Sequence, residues 1–392
     1  MKIEEISIKN YRLFKDAQLK NIPDFCVLVG ANGTGKSTLF DVFSFLKDAL
    51  TLNVSKALLK RGGFSEVVTR GSNGPIEIEL KFRETGGRLA TYYLKVGHQN
   101  GKGVVESEVL KFRRGQRGKP WHFLDFTRGK GSAITNEEEY GQEHATAERE
   151  EQTLDAPDIL AIKGLGQFQR FRVANDFRKL IENWHISDFH VSDARPSAEE
   201  GIAEHLSSKG DNLSLVAQYL LQYQPEVFKQ VLDKMAKRVP GVTSVEAKPT
   251  EDGRIVLRFK DESFKDPFLA RSVSDGTIKM FAYLVLLHDP TPFPLLAVEE
   301  PENQLYPELL GELCEEFRAY AERGGQVFVS THSPDFLNAV QLEEIYALSK
   351  HNGVTKIVHS SDQKLLRDLV SEGDLPGTLW RQGLFHEACF AE

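Results

Sequence analysis

Eight residues, Gly30-Ala31-Asn32-Gly33-Thr34-Gly35-Lys36-Ser37, stand between two apolar runs. Phe25-Cys26-Val27-Leu28-Val29 before them reads as a short buried strand, and Thr38 to Leu46 after them reads as a helix with a broad apolar face. The spacing G-x-x-x-x-G-K-[ST] in a strand–loop–helix setting is a phosphate cradle. Its glycines let backbone N–H groups turn toward phosphate oxygens, and the helix N-terminus adds partial positive charge. Lys36 is placed to reach the β- and γ-phosphates, and Ser37 to offer a hydroxyl to Mg²⁺. Gly30 through Ser37, together with Thr38, form the expected nucleotide-binding set. GTP would call for an N-K-x-D base-reading motif, which the sequence lacks.

The chain has 392 residues, 40% hydrophobic and 27% charged, with a net charge of −8. That is room for one large domain or two ordinary ones, and the negative balance argues against a surface coated in nucleic acid. Cys26, Cys314 and Cys389 lie far apart with no C-x-x-C, which favours a reducing interior over a disulfide framework or zinc site. The opening MKIEEISIKNYRLF is charged and alternating, unlike a signal peptide, and the longest apolar run, around Met280 to Leu287, is too short to span a bilayer. A cytoplasmic protein with no membrane association is expected.

Alternation of apolar residues predicts strands around Ile3 to Ile8 and Ala17 to Leu19. From Pro75 to about Phe126 it predicts four more, IEIELKF, LATYYLKV, VVESEVLKF and WHFLDF, as an antiparallel sheet. Gly129 to Pro157 is polar and acidic, and is expected as a mobile loop. Helical rhythm marks LSLVAQYLLQY and PEVFKQVLDKMAKRV, followed by a hairpin of VTSVEAK and RIVLRFK. The last third alternates helix and strand (277–287, 294–299, 306–322, 326–330), which argues for a mainly parallel sheet. No sustained heptads or fixed-period repeats occur.

Pro294-Leu295-Leu296-Ala297-Val298-Glu299-Glu300 is an apolar strand ending in two carboxylates. Glu299 sits where a metal-holding acid belongs, directly or through water. Glu300 sits where a base can polarise an attacking water. The strand-end histidine of Ser330-Thr331-His332-Ser333-Pro334 suits a γ-phosphate contact. Ser272 to Lys279 opens a further helix, and Ser274 and Gly276 at its start form a second anion-binding end.

The order of these elements resembles the ABC-type ATPases, in particular the SMC/RecF/OLD branch often grouped with AAA-family ATPases. MKIEEISIKNYRLFKDAQL is similar to that branch's N-terminal strand and Arg-bearing turn. RGGFSEVVTRG (61–71) is similar to a segment of its short members, and Glu300-Pro301-Glu302-Asn303-Gln304-Leu305-Tyr306-Pro307 to its E-P-E-x-x-L-H-P element. The likeness covers about residues 1–75 and 265–350, and the middle only loosely.

It implies an α/β fold: a P-loop ATPase head with a mixed central sheet, an antiparallel β subdomain, a helical lobe and no long coiled coil. The implied organisation is an N-terminal ATPase lobe at 1–128 and the acidic loop at 129–157. An insertion lobe at 158–264, a C-terminal ATPase lobe at 265–360 and a helical tail at 361–392 follow. It implies two copies, or a larger even number, closing head to tail around ATP with Mg²⁺. Ser274 and Gly276 of one copy then meet the γ-phosphate held by the other. Glu300 is the implied catalytic base, His332 the γ-phosphate sensor, and Arg12 a residue approaching the nucleotide. Three departures stand out. Glu299 replaces the broader family's Asp, and Tyr306 replaces His. The linking glutamine stays open among Gln99, Gln116, Gln142, Gln152, Gln167 and Gln169.

Two functional expectations follow. One is a compact ATPase switch that controls a separately encoded effector, a nuclease or toxin, in bacterial anti-phage defence. The alternative is a RecF-like DNA-binding repair ATPase. For that, the basic runs Lys111, Arg113, Arg114, Arg117, Lys119 and Lys163, Arg170, Arg172, Arg178, Lys179 are the candidate phosphate contacts. A scaffold that binds ATP without hydrolysing it is a third reading, opposed by the presence of both Glu300 and His332.

Overall fold

The computed structural model describes residues 1–83, 89–113, 120–140, 142 and 146–389. Two compact units emerge, the first of 1–184, 341–374 and 379–392, the second of 185–340 and 375–378.

In the first unit, eight strands form one antiparallel sheet. The N-terminal strand Lys2–Tyr11 pairs with Phe14–Lys20 on one side and Ile76–Arg83 on the other. Leu89–Gln99, Lys102–Phe112, Trp121–Thr127, Lys130–Ile134 and Arg149–Thr153 extend the sheet in sequence order. Strict alternation governs Ile76–Arg83: Ile76, Ile78, Leu80 and Phe82 are buried, and the residues between them are not. The helix Arg172–Glu182 covers the buried face, with Phe177 set 5.0 Å from the Phe82 ring and 5.1 Å from Tyr92. The stretch 129–157, expected as a loop, thus carries two strands, of which Arg149–Thr153 is the polar, almost wholly exposed edge.

The phosphate-loop strand has its partners in this unit outside that antiparallel sheet. Phe25–Val29, buried at every position, runs parallel to Ile345–His351, which turns back antiparallel into Val354–His359. The helix Lys36–Thr51 follows the loop and buries ten of its sixteen residues. Its far end is fixed by Lys47, whose Nζ donates to the Trp184 carbonyl at 2.6 Å, and by Phe43 packed edge-on against Trp184.

In the second unit, His185–Ser187, Leu295–Glu299 and Gln326–Thr331 form a parallel sheet in that spatial order. The helix Asp275–Leu287 is buried along nearly its whole length, consistent with its apolar composition. A small antiparallel sheet is built on the hairpin Val242–Pro249 and Arg254–Asp261, with the helices Leu213–Tyr223 and Pro225–Arg238 beside it in sequence.

Among the described residues no helix is long and apolar enough to cross a membrane.

Candidate functional site

The first unit shapes the phosphate cradle. Gly33 and Gly35 have φ of 76° and 109°, in the region that favours glycine. A Cβ on Gly35 would sit 3.1 Å from both the Phe14 ring and the Thr355 hydroxyl, and one on Gly30 would sit 2.7 Å from the Leu348 carbonyl. Thr34 accepts from the Thr355 hydroxyl through its carbonyl at 2.7 Å, and donates its own hydroxyl to the Ala31 carbonyl at 2.8 Å. Lys36 is 6% exposed and folds back over the loop, donating to the Gly30 carbonyl at 2.6 Å and the Ala31 carbonyl at 3.3 Å. Ser37, Ala31, Asn32 and Gly33 face solvent, and Thr38 is buried. The backbone thus presents a concave turn at a helix start that lacks a side-chain cap, the form that accepts an anion.

Arg12, in the turn between the strands Lys2–Tyr11 and Phe14–Lys20, reaches toward the helix Lys36–Thr51 and not the loop. Its guanidinium is 3.1 Å from the Asp41 carboxylate, and its backbone is left-handed at φ 48°. Asp41 also accepts from the Tyr11 hydroxyl at 2.7 Å and from Arg61 Nε at 2.7 Å. Burial, reinforced by Asp41, raises the Tyr11 pKa well above its ordinary value.

The second unit gathers the acidic and histidine motifs. Glu299 pairs across the parallel ladder with Ser330, which places the carboxylates and His332 at the same end of adjacent strands. Glu300 leaves the strand with φ 43°, a strained value for a non-glycine residue, held by its N–H on the Ser330 carbonyl at 2.9 Å. One carboxylate oxygen is 3.2 Å from His332 Nδ1, and the other accepts from Asn303 Nδ2 at 3.1 Å. Glu302, with 8% of its side chain exposed, accepts from the Thr331 hydroxyl at 2.7 Å and the His332 N–H at 3.1 Å. Its second oxygen is buried without a hydrogen-bond partner among the described residues.

Ser274 caps the helix Asp275–Leu287 by accepting from the Thr277 N–H at 3.3 Å, so one expected phosphate contact also has a structural task. Gly276 has one too: a Cβ there would sit 2.7 Å from the Gln304 carbonyl, so the helix start lies against the turn after Glu300. Lys279, 5% exposed, donates to the Asn303 carbonyl at 2.7 Å. Burial lowers its pKa to about 8, against the opposing pull of Glu302 and Glu300.

Each unit therefore brings together its own share of the expected residues: Gly30 to Thr38 and Arg12 in the first, Glu299, Glu300, His332, Ser274 and Gly276 in the second. The fold gives Lys279, Glu302 and Asn303 parts in the site that the sequence does not assign to them. The only signal for Glu302 was the repeated acid of E-P-E.

The fold is that of an SMC-type head, and the order of the motifs is the one that resembles the ABC-type ATPases. The family described as "AAA domain, putative AbiEii toxin, Type IV TA system" matches residues 25–338, and the chain belongs to it. A curated relative, the DNA double-strand break repair Rad50 ATPase of Pyrococcus abyssi, is 32% identical over 117 residues. That match spans 28% of this chain and 13% of the relative's length. Among solved structures, a Smc head bound to the C-winged helix domain of ScpA aligns with a TM-score of 0.57 at 15% identity, covering 91% of this chain and 97% of its own. A Smc head with an extended coiled coil, bound to the C-terminal domain of ScpA from Pyrococcus furiosus, aligns with a TM-score of 0.54 at 15% identity, covering 95% and 100%. At that identity the two structures speak for the fold.

Proposed function

We propose that this chain binds and hydrolyses ATP, closing head to tail with a second copy, and that the closed and open states control a separately encoded effector, a nuclease or toxin, in anti-phage defence. The observation that carries hydrolysis is the Glu300–His332 pair at 3.2 Å, held at the ends of two parallel strands by Glu302 and Asn303. Polar groups fixed this well are what positioning a water for in-line attack requires.

The cradle fits a triphosphate: a Cβ at Gly30 would meet the Leu348 carbonyl at 2.7 Å, Gly33 and Gly35 take the positive φ that turns the loop, and Lys36 lies across its carbonyls. Lys36 and the loop N–H groups would hold the phosphates. Ser37 and Glu299 would hold Mg²⁺, which neutralises charge on the phosphate oxygens when bound. Glu300 would take the proton of the attacking water, and His332 would orient the γ-phosphate. Ser274 and Gly276 would meet the nucleotide of the partner copy. The anti-phage setting is supported by the family's toxin–antitoxin description.

Glu300→Gln tests this directly. The variant should bind ATP, lose turnover and persist as a dimer in size-exclusion chromatography with light scattering, while the wild type returns to monomer as ATP is consumed. Equal turnover in the two proteins would refute the assignment.

A second reading, a DNA-binding repair ATPase, is favoured by the Rad50 match. Against it, Arg170 and Arg178 are engaged by Glu150 at 3.1 Å and Glu182 at 2.7 Å, while Arg114, Arg117 and Lys119 lie outside the described residues. DNA affinity that falls steeply with salt, and is lost when Arg113, Arg114 and Arg117 are neutralised, would favour it; weak binding with a flat salt response would exclude it.

A further inference from the structure

Lys279 sits one turn into the helix Asp275–Leu287. A lysine at 5% exposure is unusual, because an ammonium gives up much hydration on burial. Its Nζ donates to the carbonyl of Asn303, in the turn that carries Glu300. The same Asn303 donates through Nδ2 to the Glu300 carboxylate at 3.1 Å, and its backbone N–H closes onto the Glu300 carbonyl at 3.1 Å. On the other side the turn is tied to the neighbouring strand by Glu302, which holds Thr331 and His332. The helix start touches the turn twice more. Gly276 lies under the Gln304 carbonyl, and Asp275 accepts from Gln304 Nε2 at 3.3 Å while paired with Arg195. Glu300 and Gln304 both have positive φ, so the turn is held in a strained form that its polar pins must maintain.

We propose that Lys279 is a positioning residue: through Asn303 it ties the orientation of Glu300 to the position of the helix start bearing Ser274 and Gly276. This inference rests on the head-to-tail reading above. There, that helix start meets the nucleotide of the partner copy, so its displacement moves the base serving the chain's own nucleotide. The two nucleotides are thereby coupled through one lysine and one asparagine, and hydrolysis at one site depends on occupancy of the other.

The test uses the full chain with Lys279→Met, Lys279→Arg and Asn303→Leu. Steady-state ATP turnover is measured together with equilibrium binding of a fluorescent ATP analogue. Lys279→Met and Asn303→Leu should each lower kcat by about tenfold or more, the scale of a small misplacement of a catalytic group. Analogue affinity should stay within about twofold, and the Hill coefficient for ATP should fall toward unity. Lys279→Arg, which keeps the donor, should retain cooperativity. Asn303 is exposed, so its variant decides the matter even where Lys279→Met fails to fold. Wild-type kcat and cooperativity in Asn303→Leu, or a non-cooperative wild type, would overturn the coupling and leave the ATPase standing. A wild type without turnover would overturn the ATPase itself.

Discussion

Lys36 holds the carbonyls of Gly30 and Ala31 from a nearly buried position, so its ammonium is aimed into the loop before a nucleotide arrives. Lys36→Ala should weaken ATP binding on the order of 10–100-fold, the loss of a charged hydrogen bond, as read by calorimetric titration. Gly35→Ala is a different probe. The added methyl meets Phe14 and Thr355 at a φ of 109° that side chains rarely adopt, so the strain should cost about 1–3 kcal/mol in thermal stability as well as nucleotide affinity. An unchanged melting temperature in Gly35→Ala would contradict the close approach. These residues were legible in the sequence because a phosphate cradle constrains consecutive positions. Lys279 and Asn303 were not, because their contact joins positions 24 apart and a buried lysine has the same letter as a solvated one. Gly276 was legible as a glycine, whereas its reason, the Gln304 carbonyl, came only with the fold.

Among elements, the large antiparallel sheet was the easiest to foresee. Ile6 opposes Leu19 and Ile8 opposes Ala17, as alternation of buried residues requires. The edge strand Arg149–Thr153 escaped notice because a polar strand carries no alternating signal, and charge is how an edge is kept from pairing with other chains. Two carboxylates anchor helices of the first unit by their N-termini. Glu108, wholly buried, accepts from the Ile162 N–H at 3.1 Å, from Ala161 N–H and from the Tyr92 hydroxyl at 3.1 Å. Glu137 accepts from the Val173 N–H at 3.0 Å. Burial raises both to about 7. A raised carboxyl binds its proton more tightly in the folded state, so its contribution to stability is full below the ordinary carboxylate range and is lost as pH rises to about 7. Hydrogen exchange of the Ala161–Leu165 amides, corrected for intrinsic rate, should therefore show more frequent opening at pH 8 than at pH 5. Glu108→Gln, permanently neutral, should flatten that dependence; an unaltered slope would show that Glu108 is not its source.

At the scale of the whole molecule, the absence of heptads in the sequence agrees with the described residues, whose helices form no long coiled coil. The strands Leu295–Glu299 and Gln326–Thr331 were legible because continuous apolar runs between helices mark a parallel sheet. Less legible was the chain's return: 341–374 and 379–392 belong with the N-terminal residues, a long-range association that no local pattern encodes.

The central claim is that each catalytic site takes its phosphate loop from one copy and its Ser274–Gly276 helix start from another. Mixing Lys36→Ala with Ser274→Arg, each inactive alone, and measuring ATP turnover tests it. Randomly formed mixed dimers should carry one complete site of two and, at ATP concentrations high enough to fill the weakened site as well, restore up to roughly a quarter of wild-type activity. No recovery on mixing, or full activity of Ser274→Arg as a monomer, would contradict a shared site.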